Sequence, residues 1–295
     1  MILENSFSGK EILTWRNFQL AKGGNSVDLD WLLDLGGGLS WSDLQILKIS
    51  QERNYQLNLS LQELSLIWMR FLDQKIPLQY QVGRCPWRDF ELEVNPSVLI
   101  PRQETEVMID LALSKVNPYE KAIGRWVDLG TGSGALAIAL ARSFPEWIGH
   151  AVDCSENALT LATKNIEKLV SDSEIYMHLG NWWEPLTTWF GTFDLAIANP
   201  PYIPKSNFEK LDLTVSSHEP HLALFGGDDG LDCCREIIKG SLNGLRPGGW
   251  LILEHNCDQS ERVLNILKKN DFHDIEFAND LEGIRRFALG RYPKK

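Results

Sequence analysis

The chain has 295 residues, 43% of them hydrophobic, and a formal net charge of −11. That is apolar material enough for a conventional core, which excludes a disordered or fibrous chain, and a length suited to two domains or one large domain with an appendage. So acidic a chain is poorly built to grip nucleic-acid phosphates, which takes Lys and Arg, and a basic protein partner suits it better.

The five cysteines, Cys85, Cys154, Cys233, Cys234 and Cys257, are odd in number and form no C-x-x-C pair. They read as reduced thiols, without the spacing of a zinc site. The first residues carry an early acid and no long apolar run, so no secretory signal is expected. No stretch approaches the roughly 18 apolar residues of a membrane span. The expectation is a soluble, cytoplasmic protein without membrane contact.

In chain order, residues 1 to 80 read as helical. An early helix is predicted from Val27 to Leu35, ending at Gly36-Gly37-Gly38. Ser60-Leu61-Gln62-Glu63 fits a capping box. Leu61, Leu64, Trp68, Phe71 and Leu72 then recur at helical spacing. Pro77 and Gly83 close the region. Phe90 to Val94 alternates like a half-buried strand, with Asn95-Pro96-Ser97 as a turn and Val98-Leu99-Ile100 as the return strand of a hairpin.

From about residue 120 short apolar strands alternate with helices. The strands are expected at Arg125–Leu129, Gly149–Val152, Ile175–Leu179, Phe193–Ala198 and Trp250–Leu253, with late ones at Ile275–Phe277 and Arg286–Leu289. The helices fall at Ala135–Arg142, Asn157–Leu169, Asp232–Leu242 and Ser260–Asn270. Such alternation predicts an α/β fold, a mainly parallel sheet covered on both faces.

Gly130-Thr131-Gly132-Ser133-Gly134 follows a strand and opens a helix. Glycines admit positive φ and close approach of a ligand, and free N–H groups at a helix start favour anionic or polar groups. The loop also satisfies the loose dinucleotide pattern, so alone it does not separate a nicotinamide from S-adenosylmethionine. Asp153 ends the next strand, where a carboxylate can accept both ribose hydroxyls of an adenosine.

Phe193 to Ala198 runs into Asn199-Pro200-Pro201-Tyr202, at the same sheet edge as the glycine loop. An amide or arylamine nitrogen is a poor nucleophile because its lone pair is delocalised. Two acceptors, the Asn199 side-chain oxygen and the Pro200 carbonyl, could hold its two N–H bonds and direct that pair at a methyl carbon. Prolines stiffen the loop and remove competing donors. Tyr202 offers a flat face for the planar target. Catalysis would be mainly positioning and directed hydrogen bonding.

With both motifs in place the chain resembles the seven-stranded S-adenosylmethionine-dependent methyltransferases that act on nitrogen. Val98-Leu99-Ile100-Pro101-Arg102-Gln103-Glu104-Thr105-Glu106 narrows the resemblance to the release factor glutamine methyltransferases. So do the segments from Ile76 to Gly83, Glu219-Pro220 with Ala223-Leu224, and Leu289 to Tyr292. The resemblance runs from about Asp28 onward. It implies a helical N-terminal domain (1–88) for substrate recognition, a linking hairpin (89–102) and a Rossmann-like catalytic domain (103–295). It also implies methylation of the glutamine in the Gly-Gly-Gln motif of class 1 peptide chain release factors, giving N5-methylglutamine. Gly130, Thr131, Gly132, Ser133, Gly134 and Asp153 match its cofactor positions. Asn181 and Trp182 match positions beside the adenine. Asn199, Pro200, Pro201 and Tyr202 match the amide clamp, Asn199 counting also as a cofactor contact. Direct nucleic-acid binding is not expected.

Two departures stand out. Gln103-Glu104 replaces the family's usual Pro-Asp, and Asn181 stands where an acid usually precedes the tryptophan. Arg102, Glu104 and Glu106 could order the cofactor pocket or merely suit a helix start. His218-Glu219-Pro220-His221 lacks a third ligand at useful spacing, so no metal is expected. His255 and the Cys233-Cys234 pair read as packing. Rival functions are a ribosomal-protein glutamine methyltransferase and an adenine-N6 methyltransferase working on a flipped base. A cofactor-binding module without catalysis is a third.

Overall fold

The computed structural model describes residues 5–117 and 123–293. The chain divides into two compact units, Met1–Cys85 and Pro86–Lys295.

The first unit is built from α1 (Gly9–Lys22), α2 (Ser26–Leu35), α3 (Trp41–Leu47), α4 (Leu61–Gln74) and α5 (Leu78–Val82). The Ser60–Glu63 capping box forms in both directions at the start of α4: Glu63 N–H donates to Ser60 Oγ at 3.2 Å, and Ser60 N–H donates to Glu63 Oε2 at 2.8 Å. The face predicted for α4 is the buried one. Leu64 and Trp68 lie wholly inside, and Leu61, Phe71 and Leu72 pack against the same core with Leu29, Leu32 and Leu33 of α2. The unit is not purely helical, as the sequence had implied. β1 (Ser6–Ser8) and β2 (Asn54–Gln56) form an antiparallel ribbon. Each strand is three residues long with one apolar residue, Phe7 or Tyr55, too short for alternation to register.

A hairpin follows, and its strands differ from expectation. β4 (Phe90–Glu93) pairs with β3 (Arg84–Trp87), while residues 98–100 form no strand. The turn at Arg88-Asp89 carries no glycine; Arg88 itself adopts φ 52°. The apolar character of Val98 and Ile100 serves burial without a ladder, and the Ile100 N–H goes to the Glu219 carboxylate at 3.3 Å.

The second unit carries β5 (Arg125–Leu129), β6 (Ile148–Asp153), β7 (Ile175–Leu179), β8 (Phe193–Ala198), β9 (Leu245–Glu254), β10 (His273–Asn279) and β11 (Arg285–Arg291). They form one seven-stranded sheet in the order β10-β11-β9-β8-β5-β6-β7. All run parallel except β11, which is antiparallel to both neighbours. α11 (Asp232–Gly244) and α12 (Ser260–Lys269) cover one face, where Ile237, Ile238, Val263 and Leu267 meet Val127, Leu129, Ala196 and Leu251. α6 (Val107–Lys115), α7 (Ala135–Ser143) and α8 (Glu156–Leu169) pack together against the sheet. The short helices α9 (Lys205–Phe208) and α10 (Leu213–His218) lie in the excursion between β8 and α11.

Large and small residues interlock in this core. Trp126 and Gly149 are partners in the β5–β6 register, and a Cβ on Gly149 would stand 2.2 Å from the Trp126 ring. The chain leaves β5 towards β6 on one side and returns to β8 on the other. That reversal opens a crevice at the carboxyl ends of the strands, the usual ligand position in such sheets.

Candidate active site

A cavity of about 340 Å³ sits at this crevice. Its wall includes Gly130, Thr131, Gly132, Ser133, Asp153, Asn181, Trp182, Asn199 and Pro201. The structure therefore gathers residues from the ends of four strands, as the sequence motifs required.

The glycine loop joins β5 to α7. Gly130 N–H and Thr131 N–H both donate to the Val152 carbonyl, at 2.8 and 2.9 Å, which folds the loop back over β6. Gly132 adopts φ 56° and would have nothing within 4 Å of an added Cβ, so its backbone is open towards the cavity. Gly134 does not line the cavity. It is the left-handed residue at the start of α7, packed over Ala162.

Asp153 accepts Gly132 N–H on Oδ2 and Ser155 N–H on Oδ1, each at 2.9 Å. A carboxylate offers about four lone-pair sites, so acceptor capacity remains for a ligand. Burial pushes this carboxyl above the ordinary aspartate range, against the pull of the backbone donors. Behind it, Asp128 is fully buried and receives the Thr131 hydroxyl at 2.7 Å. Burial, with the nearby Asp153 charge adding to it, raises Asp128 to about 7.

Trp182 holds φ 46°, and its ring edge stands 3.1 Å from where a Cβ on Gly130 would lie. Asn181 donates through Nδ2 to Glu184 Oε2 at 3.3 Å, which leaves its Oδ1 as an acceptor. The departure from the family's acid at this position thus retains one acceptor atom.

Asn199 follows the fully buried β8 and lines the cavity. Its Nδ2 donates to Thr105 Oγ1 at 3.1 Å. Pro200 is buried, and neither it nor Tyr202 belongs to the cavity lining. The Tyr202 carbonyl receives Gln259 Nε2 at 2.8 Å. Burial, helped by the Glu254 charge, drives the Tyr202 hydroxyl far above its usual range, so it stays protonated.

Several wall residues escaped sequence reasoning. Trp87, Val98, Leu99 and Thr105 line the cavity, as do Cys154 and Cys233. Cys233 is thus a wall residue and not mere packing; Cys234 is the buried one. Arg102, also in the wall, bonds to the buried Glu219 at 2.7 Å, which pins the residue 97–102 segment to the excursion after α10. Glu104 and Glu106 form the short turn before α6, and the Glu106 carboxylate accepts Arg88 N–H at 2.9 Å. His255 is buried, its Nδ1 2.8 Å from the Asn256 carbonyl. His221 stands 3.2 Å from the Ser216 carbonyl. Among the described residues no group of three or more His, Cys, Asp or Glu is placed to hold a metal ion.

The cavity suits an adenosine-bearing cofactor. It has a carboxylate acceptor in Asp153, an open glycine backbone and an indole face, in a volume within the usual range for such ligands.

Residues 110–215 match the family described as "Methyltransferase small domain". The chain is 61% identical over 293 residues to the release factor glutamine methyltransferase of Prochlorococcus marinus, spanning 99% of this chain and 100% of that one. It is 38% identical over 296 residues to the enzyme of the same name from a Synechocystis species, spanning 96% and 97% of the two chains. Among solved structures, the hMettl16 catalytic domain in complex with a MAT2A 3′UTR hairpin aligns with a TM-score of 0.54. That match has 16% identity and covers 83% of this chain and 86% of that one, a likeness of fold alone.

Proposed function

The chain belongs to the release factor glutamine methyltransferases, enzymes that use S-adenosylmethionine, and we propose that it methylates the N5 amide of the Gly-Gly-Gln glutamine in class 1 release factors. The observation that carries this reading is Asn199, at the end of β8 and in the wall of the same cavity as Asp153 and the glycine loop. When bound, the cofactor supplies a sulfonium methyl.

In this reading Asp153 accepts the ribose hydroxyls, Gly130 to Gly132 bring their backbone against the cofactor's amino-acid end, and Trp182 flanks the adenine beside Asn181. Gly134 sets the start of α7 and acts through the loop. Asn199 Oδ1 and the Pro200 carbonyl take the two N–H bonds of the target amide. Pro201 closes the wall and Tyr202 anchors the far end of the clamp. No strong base is needed, because the amide proton becomes acidic once nitrogen is alkylated and can leave to water. The excess of acids on the chain, a net charge of −11, suits a basic partner surface. We propose further that residues 1–88 recognise the release factor, with residues 89–102 joining them to the catalytic residues 103–295. No helix among the described residues is long and apolar enough to cross a membrane. Modification of a translation factor accords with a cytoplasmic enzyme without direct nucleic-acid binding.

The test is transfer of radiolabelled methyl to purified class 1 release factor, beside a Gly-Gly-Ala variant, ribosomal protein and duplex DNA. Label on the release factor alone, absent from the Gln→Ala variant, is expected. Asn199→Ala should keep cofactor binding and lose most transfer. Label on ribosomal protein or DNA instead would overturn the assigned substrate.

A further inference from the structure

Asn199 can serve as a clamp only if its amide faces the right way. With Oδ1 towards the target, the nitrogen's hydrogens are accepted; rotated by half a turn, the Asn199 NH2 would oppose the target NH2. Nothing in an isolated asparagine fixes this choice. Resting on the clamp described above, we propose that Thr105 and Glu254 are positioning residues that lock the Asn199 amide with its oxygen towards the cavity.

The geometry carries a directed chain. Glu254 is the last residue of β9, and its neighbour Leu253 pairs with Ala198 of β8, so Glu254 and Asn199 occupy the next rung of the parallel ladder. Thr105, in the turn before α6, stands between them. Thr105 Oγ1 donates to Glu254 Oε2 at 2.7 Å and accepts from Asn199 Nδ2 at 3.1 Å. Thr105 and Glu254 are 5% and 1% exposed, so bulk water does not compete for these bonds. An ionised carboxylate only accepts, hence the single threonine proton points to Glu254 and the threonine oxygen is left to accept. Asn199 then has to present its nitrogen to Thr105 and its oxygen elsewhere.

A protonated Glu254 breaks this logic. Its own O–H can donate to Thr105, which frees the threonine proton for Asn199 Oδ1 and permits the wrong orientation. Glu254 is raised to about 7, first by burial; the Thr105 hydrogen bond, Arg286 from β11 and Arg102 draw it down, and Glu104 pushes it up. Tyr202 also faces it, and Arg286 is itself held by Asp280 at 2.8 Å. Ionisation favours the competent amide, so kcat should fall as pH drops through the neutral range.

The experiment measures kcat and KM for methyl transfer to release factor at saturating cofactor, from about one pH unit below the Glu254 midpoint to about one above it. The wild type is compared with Thr105→Val, Thr105→Ser, Glu254→Gln and Asn199→Ala. Thr105→Val keeps the shape without the hydroxyl and should lower kcat about tenfold or more, in the range of a lost preorganised catalytic hydrogen bond. Its S-adenosylhomocysteine affinity should stay within about threefold of wild type. Thr105→Ser should restore most of the rate. Glutamine at 254 can donate or accept, so Glu254→Gln should show a reduced kcat on the alkaline side and no acid limb. A Thr105→Val enzyme within about threefold of the wild-type kcat overturns the proposal. If that variant does not fold, an acid limb that persists in Glu254→Gln overturns it instead. Full activity in Asn199→Ala would remove the clamp itself, whereas an inactive Asn199→Ala beside a normal Thr105→Val would remove only the lock.

Discussion

Replacing Asp153 by asparagine tests the cofactor reading most directly, because the side chain keeps its size. In the structure both oxygens are committed, one to Gly132 N–H and one to Ser155 N–H, each at 2.9 Å. Asparagine has one oxygen and one NH2, so whichever way it turns, a donor meets a backbone donor. A buried donor left unsatisfied costs about 1–3 kcal/mol, and a hydrogen bond to a charged group contributes about 1.5–3 kcal/mol. The ribose loses one such charged acceptor while part of the loop penalty is already present in the free enzyme. A net loss of about 2–4 kcal/mol in cofactor binding is expected, or about thirtyfold to a thousandfold in Kd. Titration calorimetry with S-adenosylhomocysteine reads this, beside a melting curve to show that the fold survives. The pH dependence gives a second readout. Since burial raises the Asp153 carboxyl and the ionised form is the acceptor, wild-type affinity should weaken on acidification sooner than an ordinary aspartate would allow. The asparagine variant should lack that dependence. A Kd within about threefold of wild type, with an unchanged melting temperature, would refute the assignment of Asp153 to the ribose.

Trp182→Ala should raise the Kd for S-adenosylhomocysteine about tenfold, because stacking of a base on an aromatic ring contributes about 1–3 kcal/mol; Trp182→Phe should lose much less, and equal losses in the two variants would argue against stacking. Gly240→Ala should lower the melting temperature although alanine favours helices by about 1 kcal/mol. The added Cβ would stand 2.2 Å from the Trp183 ring, which is 4% exposed and donates to the Ile237 carbonyl at 3.0 Å. Overpacking of this kind costs about 1–3 kcal/mol and a strained indole bond adds to it. A net fall of several degrees by calorimetry is expected, and a rise would show that Trp183 can move aside freely.

The alternation of strand and helix after residue 120 was legible because each buried strand is a short apolar run bounded by polar turns. Phe193–Ala198 is the clearest case, every residue buried and its bounds as read. Both site motifs were legible for the same reason: each lies directly beyond such a strand, so the strand end fixes its position. What the sequence hid has two sources. Elements of three or four residues, such as β1, β2 and β3, are too short for periodicity. Val98 and Ile100 misled because burial looks the same in a strand and in an extended cavity wall. The Thr105 link was hidden by distance, its partners lying 94 and 149 residues away. No spacing rule connects three segments that meet only through the order of strands in the sheet.

That strand order also explains why so much chemistry collects at one edge. β5 has β6 on one side and β8 on the other, with β9 beyond β8. Four adjacent strands therefore bring Asp128, Asp153, Asn199 and Glu254 to one edge of the sheet, with Asp153 and Asn199 in the cavity wall. Two of the four, Asp128 and Glu254, are buried carboxyl groups and Asp153 is half-buried, and removal from water raises all three. An acid kept from water needs donors, and these come from segments beyond the strand ends: Thr131 of the glycine loop for Asp128, Gly132 of the same loop and Ser155 for Asp153, Thr105 for Glu254. The acids thus order the loops that form the cavity wall, and Asn199, which is neutral, is left to be ordered through Thr105. Loss of a wall acid should for this reason disturb a loop as well as a charge. The conservative substitutions Asp153→Asn and Glu254→Gln, which remove charge with little change of shape, discriminate between those two effects better than truncation to alanine does.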